Sequence, residues 1–203
     1  MKKETGHSHP ISSAIDEISA IFADMGFAIA DGPLIESEWY NFDALNVPKD
    51  HPARDMQDTF FIADKKDVVL RTHTSPVQVR YMEKHNPPIR IIAPGMAFRN
   101  EATDATHEVQ FHQLEGLAVD RDISLANLKG TLDMFLSKFF GEDIDIRFRP
   151  GYFPFVEPGV EVDMLLTSSK GTRWIEVMGA GMVHPNVLRN AGIDSVQYQG
   201  FAF

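Results

Sequence analysis

Cysteine is missing altogether from the 203 residues, which removes disulfides, thiolate metal sites and cysteine nucleophiles in one step. Positive charge is scarce as well: 19 Lys and Arg stand against 29 Asp and Glu, a formal net charge of −10. Such a chain does not grip nucleic acid through phosphates by itself, because that binding needs clustered Lys and Arg. No apolar run approaches the ~18 residues of a membrane span. The opening MKKETGHSHP has two lysines but no apolar segment of secretory type behind them. These absences predict a soluble cytoplasmic protein without a membrane. Internal repeats, low-complexity tracts and interdomain linkers are lacking too. What is present is 43% apolar residues, enough for one domain with a substantial core.

Periodicity supplies the elements. His7 and His9 belong to a polar leader over residues 1–9, expected to be mobile. From Pro10, a residue suited to the first helical turn, Ile11, Ala14, Ile15, Ile18, Ile21, Phe22 and Met25 recur at helical spacing until Gly26 stops the pattern. Phe27 to Pro33 reads as a short strand, Glu36 to Leu45 as a short helical or irregular piece, and Pro48 to Met56 as a loop in which His51 is solvated. Thr59 to Ala63 and Val68 to Thr72, joined by DKKD, predict a hairpin. In RTHTSPVQVR the order Ser75, Pro76, Gln78 matches a capping box, which explains Ser75 and Gln78 without a ligand. Ser124 caps a second long helix with Leu125, Leu128, Leu132, Phe135, Leu136 and Phe139 on its buried stripe. Strands are expected at 89–93, 117–119, 144–149, 160–167 and 173–178. Gly179 and Gly181 interrupt strand-like sequence, marking a bulge or a close approach of ligand to backbone. A short helix over PNVLRNAG follows. Helices and strands do not alternate regularly, so the expected fold is α+β, a mainly antiparallel sheet flanked by helices.

The densest chemistry lies in Met96 to Gly116, MAFRNEATDATHEVQFHQLEG. Strand alternation puts Phe111, Gln113 and Glu115 on one face and His112, Leu114 and Gly116 on the other. Polar solvent faces are common in antiparallel sheets, so spacing alone leaves that face open between a solvated surface and a built site. Three chemistries compete for it. Metal-assisted hydrolysis by His107, His112 and Glu108 or Glu115 is opposed by the split of His112 and Glu115 across faces. Acid and base catalysis by Glu101 and Glu115 is permitted. Nucleotide and carboxylate chemistry gives every member a task, with Arg99 on a phosphate, Phe111 as a stacking platform, and Gln113 and Glu115 holding an ammonium group.

From about His9 to Phe203 the motifs HPARDM, RTHTSPVQVR, FRNE, FHQLEG, RPGYFPFVEPG, GAGMVHPNVLRNAGI and GFAF occur in order. In these the chain resembles the bacterial phenylalanyl-tRNA synthetase alpha subunits, a family of class II aminoacyl-tRNA synthetases. The resemblance implies a class II catalytic core over 10–203 that activates phenylalanine with ATP and transfers it to tRNA(Phe). It makes the helix from Pro10 and the strand reaching Pro33 motif 1, a subunit-interface element, and the FRNE and FHQLEG strands motif 2. Arg99 would be catalytic, on the α-phosphate and the substrate carboxylate. Glu101 and His107 would lie near ATP, and Phe111 would stack on adenine. Phenylalanine would be held at its amino and carboxylate ends by His73, Ser75, Gln78, Gln113 and Glu115. Phe153 and Phe155 would meet its ring, with Val156, Gly179, Gly181 and Ala202 closing the pocket. Mg²⁺ would sit near Glu157.

The same resemblance implies partners: phenylalanine, tRNA(Phe) held through the full assembly, and a beta subunit in a heterotetramer of two alpha and two beta chains. An apolar pocket rejects an added hydroxyl by only ~10², so tyrosine is expected to be mischarged at times and edited on the beta subunit. In the family GFAF is followed by motif 3, which binds the γ-phosphate through an arginine, and a helical hairpin precedes the core. Both are expected to lie outside residues 1–203, which makes the chain a core truncated at the C-terminal end that binds phenylalanine better than it activates it. The competing reading is a catalytically impaired fragment or paralogue acting as a phenylalanine- or nucleotide-binding or assembly module.

Overall fold

A computed structural model describes residues 6–54, 58–104, 107–141, 144–168 and 171–203. The expected leader falls partly outside them. Within them, residues 6–9 are exposed, and His9 Nδ1 accepts the Ile11 N–H at 3.3 Å as the N-cap of α1 (Pro10–Asp24). Gly26, at φ +84°, ends that helix in the left-handed region where a side chain is costly.

The chain continues through β1 (Ala28–Ile29), β2 (Ile35–Ser37), α2 (Glu38–Asn41), 3-10 turns at Asp43–Leu45 and Pro52–Arg54, β3 (Val68–Leu70) and α3 (Ser75–Met82). Then come β4 (Ile89–Phe98), β5 (Gln110–Asp120), α4 (Leu125–Phe140), β6 (Ile146–Phe153), β7 (Val156–Ser168), β8 (Gly171–Val183), α5 (Pro185–Asn190) and β9 (Gln199–Ala202). Seven strands form one sheet in the order β1-β4-β5-β9-β8-β7-β6, antiparallel except for the β1–β4 pair, and β2 and β3 form a separate ribbon. This is the expected mainly antiparallel α+β architecture.

Strand alternation assigns each sheet face its own core. Ile89, Ile91 and Ala93 of β4 and Leu117 and Val119 of β5 face α3, α5 and the 3-10 turn at Asp43–Leu45. Ile92 and Ala118, one residue out of step, face α1 and α4 on the other side. There Phe22 is fully buried between the rings of Phe135, 4.8 Å away, and Phe203, 5.1 Å away. Removing such an aromatic costs about 3–5 kcal/mol. Ser124 and Asn127 form the capping box of α4, whose stripe of Leu128, Leu132, Phe135 and Leu136 is buried. Leu125 lies outside that stripe at 40% exposure.

Three sequence expectations are corrected. First, β3 pairs with β2, thirty residues upstream, and the segment around Phe61 adds only an isolated bridge to Val69, so the hairpin is rudimentary. Second, β6, β7 and β8 run far longer than their apolar stretches. Pro150, Gly151, Gly179 and Gly181 sit inside the strands, and a register shift beside Gly159 absorbs their irregularity. Third, the expected capping box at Ser75 is not made: Thr74 occupies the N-cap position and Ser75 is already helical. Among the described residues no helix is long and apolar enough to cross a membrane.

Candidate active site

The face of β5 that carries Phe111, Gln113 and Glu115 is the one turned toward α3 and α5, because Leu117 and Val119 continue the same alternation into that core. Between this face, the loop ahead of α3 and the turn joining β6 to β7 lies a cavity of about 390 Å³.

Its rear wall is fixed by Arg71. That side chain is 2% exposed, and its guanidinium donates to the carbonyls of Met96 at 2.7 Å, Gly32 at 3.1 Å and Pro33 at 3.4 Å. Gly95 makes room for it, since a Cβ there would come within 2.1 Å of Nη2. The segment that follows, Thr72 to Ser75, is thereby held against β5. The Thr74 N–H donates to Gln113 Oε1 at 3.0 Å. That contact uses the amide oxygen and leaves the Gln113 NH₂ as a donor on the cavity side.

Ser75 and Gln78, read above as helix caps, instead converge on one acceptor. The Ser75 hydroxyl and the Gln78 NH₂ each donate to Glu115 Oε2 at 2.7 Å. Their offset of three residues puts them on one face of α3, which serves a shared ligand as well as a cap. Glu115 is 8% exposed, and among the described residues no Lys, Arg or His forms an ion pair with it. Burial pushes its carboxyl above the usual carboxylate range, against the pull of the Ser75 and Gln78 hydrogen bonds.

His73 lines the same cavity, its ring centroid 6.5 Å from that of Phe155. Burial, seconded by the charges of Arg99 and Arg71, drives its pKa down to about 3, while a hydrogen bond to the Asn41 backbone opposes the shift. The imidazole is therefore neutral at physiological pH. Its Nδ1 is shielded from solvent and has no hydrogen-bond partner among the described residues. The buried Glu115 carboxyl, hydrogen-bonded by neutral donors alone, offers an acceptor to an N–H-rich cation.

The opposite end is apolar. Phe153 and Phe155 stack with centroids 5.9 Å apart, and Val156, Gly179 and Ala202 line the cavity with them. Gly179 serves this wall directly, because a Cβ there would lie 2.7 Å from the Phe153 ring. Gly181 lies outside the lining; its missing side chain leaves space for the Pro158 carbonyl and Val156 at the bulge. Both glycines are thus explained by neighbouring protein atoms.

At the mouth, Arg99 donates to the Thr72 carbonyl through Nε at 3.3 Å, lies 4.0 Å from Glu101, and covers one face of the Phe111 ring at 4.8 Å. Arg99 and Glu101 line the cavity; Phe111 and His107 do not. His107 is exposed and contacts Asp104 at 3.0 Å, which raises its pKa. Glu157 is also outside the lining. Its carboxylate is 75% exposed and faces His184 Nε2 at 3.5 Å. Among the described residues no three His, Asp or Glu groups converge on a common point. One exposed carboxylate turned toward a histidine does not fit a metal site facing the cavity. No chemical step is routed through it.

Sequence reading missed several walls. Phe42, Leu45, Val47, Val183 and Val187 close the apolar end, and His51 and Asp58 line the mouth. His51 keeps its loop position and is half-buried, with its Nδ1 accepting the Ala53 N–H at 3.1 Å. Phe42, Leu45, Val47, His51 and Asp58 come from segments without strand or helix periodicity, Val187 from a helix too short to show one, and Val183 from the end of β8 beyond the glycines that interrupt it, so no local signal marks them.

Comparison with known proteins adds to this geometry. The family described as tRNA synthetases class II core domain (F) matches residues 1–203. The phenylalanine–tRNA ligase alpha subunit of Alkaliphilus metalliredigens is 56% identical over 209 residues, which cover 99% of this chain and 61% of that protein. The corresponding subunit of Clostridium perfringens is 54% identical over 211 residues, covering 100% of this chain and 62% of its own length. The chain therefore spans about six-tenths of the length of these relatives. Among solved structures, pyrrolysyl-tRNA synthetase from Desulfitobacterium hafniense superposes with a TM-score of 0.73 at 17% identity, covering 99% of this chain and 68% of that one. At that identity the likeness concerns the fold.

Proposed function

This chain belongs to the class II tRNA synthetase core family, and we propose that it forms the phenylalanine-activating core of a phenylalanine–tRNA ligase alpha subunit. The observation that carries the reading is a cavity lined by two kinds of surface: Glu115, held by two neutral donors, and the stacked Phe153 and Phe155 rings. An aromatic amino acid carries the complements of both. Its ammonium meets Glu115, and its ring enters the apolar wall. Its carboxylate meets the Gln113 NH₂ and Arg99.

ATP enters as its Mg²⁺ complex, which neutralises the polyphosphate. Arg99 takes the α-phosphate; its planar fork can bridge a phosphate and a carboxylate oxygen, which a lysine cannot copy. Adenine stacks on the face of Phe111 that Arg99 leaves uncovered, with Glu101 and His107 on the nucleotide side. A carboxylate oxygen of the amino acid then attacks the α-phosphorus. The bond to the β-phosphate oxygen breaks, and pyrophosphate leaves with the electron pair. The protein holds the two reactants in line and offsets developing charge, and no covalent enzyme intermediate is required. The acyl group passes next to the terminal ribose of tRNA(Phe). Given the net charge of −10, the tRNA is held mostly by other parts of a cytoplasmic assembly that includes a beta subunit, in an α₂β₂ arrangement.

The test is amino-acid-dependent exchange of pyrophosphate into ATP by the full assembly. Exchange with phenylalanine above the other nineteen amino acids is expected. Exchange driven by a non-aromatic amino acid instead would overturn the assignment.

A further inference from the structure

Asn46 lines no part of the cavity, yet it ties together three segments that do. It sits at φ 60°, ψ 21°, a left-handed conformation that Asn tolerates better than most residues. Its Nδ2 donates to the Pro154 carbonyl at 2.7 Å, and its Oδ1 accepts from Asn186 Nδ2 at 2.7 Å. Each of the three residues is flanked by cavity wall: Asn46 by Leu45 and Val47, Pro154 by Phe153 and Phe155, and Asn186 by Val187. Asn186 is itself contacted by Arg189, and Asn190 donates to the Ala44 carbonyl at 3.2 Å. The 3-10 turn, the β6–β7 turn and α5 are far apart in sequence, and this side-chain amide joins them.

We infer that Asn46 is the positioning residue that sets the width of the apolar end of the cavity, and with it the size of the amino-acid ring accepted. The inference rests on the proposed function, because it takes the apolar end as the seat of that ring. The turn carrying Phe153 and Phe155 has its central carbonyl pinned by Asn46. Without that bond the turn keeps, on this side and among the described residues, only the hydrogen bond that the His184 N–H donates to the Phe155 carbonyl at 2.9 Å, and the Phe153 ring can yield to a larger ligand ring. The reacting groups lie at the other end, against Glu115 and Arg99, so the bond governs ring selection and KM rather than kcat.

The test compares kcat/KM for phenylalanine and para-methylphenylalanine in pyrophosphate exchange by the full assembly. Asn46→Gly keeps the left-handed backbone open and removes both hydrogen bonds. Asn46→Asp keeps the acceptor for Asn186 and loses the donor to Pro154. Both variants are expected to shift the selectivity ratio toward the larger ring by about tenfold, the scale of one methyl group in an apolar pocket, with KM for phenylalanine raised and kcat nearly held. Asn186→Ala should shift it in the same direction by less. A lower unfolding midpoint with an unchanged ratio would overturn the inference, leaving Asn46 a purely structural tie. So would an equal fall in kcat for both substrates. Failure of the wild-type assembly to respond to phenylalanine at all would overturn the proposed function first, and this inference with it.

Discussion

Two buried glutamates bracket α3, and they are satisfied in opposite ways. Glu36, 1% exposed, accepts from Arg80 Nε at 2.7 Å and Nη2 at 2.6 Å, a bidentate pair. The Arg80 guanidinium lies 3.8 Å over the Tyr40 ring, whose hydroxyl donates to Glu83 at 2.8 Å. Glu115, 8% exposed, has the Ser75 hydroxyl and the Gln78 amide, and no cation paired with it among the described residues. A buried charge is tolerable when paired and hydrogen-bonded, and expensive otherwise. The first glutamate is complete within the fold. In the function proposed above, the second becomes complete when a ligand brings a positive charge. One helix thus carries a closed ion pair that fastens it to β2 and α2, and an open half of a pair that makes it part of a site.

Substitution should separate the two. The largest effect on stability is expected from Arg80→Ala, which strands Glu36 without its partner. Loss of a buried partner costs about 3–5 kcal/mol, read by chemical denaturation. A loss below about 1 kcal/mol would mean that Glu36 is less dependent on its partner than the geometry implies. At Glu115 the balance reverses. Glu115→Gln should raise KM for phenylalanine by about 10²-fold, the scale of truncating one partner of a buried, hydrogen-bonded charge pair. The ligand-free protein should then be as stable as before, or more stable, because the desolvation cost of an unpaired carboxylate is gone. Relief of ~1 kcal/mol corresponds to roughly 2–4 °C in the unfolding midpoint.

The cavity wall should respond by an intermediate amount. Gly179→Ala puts a Cβ 2.7 Å from the Phe153 ring, and overpacking of this kind costs about 1–3 kcal/mol. The Phe153 ring must move, so KM for phenylalanine rises in that variant. An unchanged KM would detach Phe153 from the ligand.

The smallest and most specific effect is on pH dependence. The Glu115 pKa is raised in the fold, so the stability linked to this group in the ligand-free protein is present below its unfolded pKa. It is lost as pH rises through the folded value. Ligand binding follows the opposite sign, since the ammonium needs the carboxylate ionised. KM for phenylalanine should therefore climb as pH falls toward a point above the usual carboxylate range, and Glu115→Gln should flatten that limb. His73, neutral with its pKa near 3, adds no step between pH 5 and 8.

Much of this site could be read from the sequence, and the failures have physical causes. The shared face of Phe111, Gln113 and Glu115 follows from period-two alternation, which the long β4–β5 ladder enforces residue by residue. Ser75 and Gln78 were misread because three-residue spacing is common to a helix cap and to two donors aimed at one carboxylate, and only the tertiary approach of β5 distinguishes them. The β6–β8 strands outran expectation because Pro and Gly normally punctuate strands. Here they sit at a register shift and beneath the Phe153 ring. Leu45, Val47 and Val187 are silent, since walls assembled from distant loops and short helices have no local pattern. Glu36 and Arg80 also gave no signal, being 44 residues apart. A closed pair and an open one look alike in sequence.

The central claim is that Glu115 awaits the ligand's positive charge. Calorimetric titration of the full assembly with phenylalanine and with 3-phenylpropanoate, which lacks only the ammonium, tests it most directly. The account predicts that wild type favours phenylalanine by about 10²-fold and that Glu115→Gln removes most of the difference. An equal preference for phenylalanine in wild type and Glu115→Gln would contradict it.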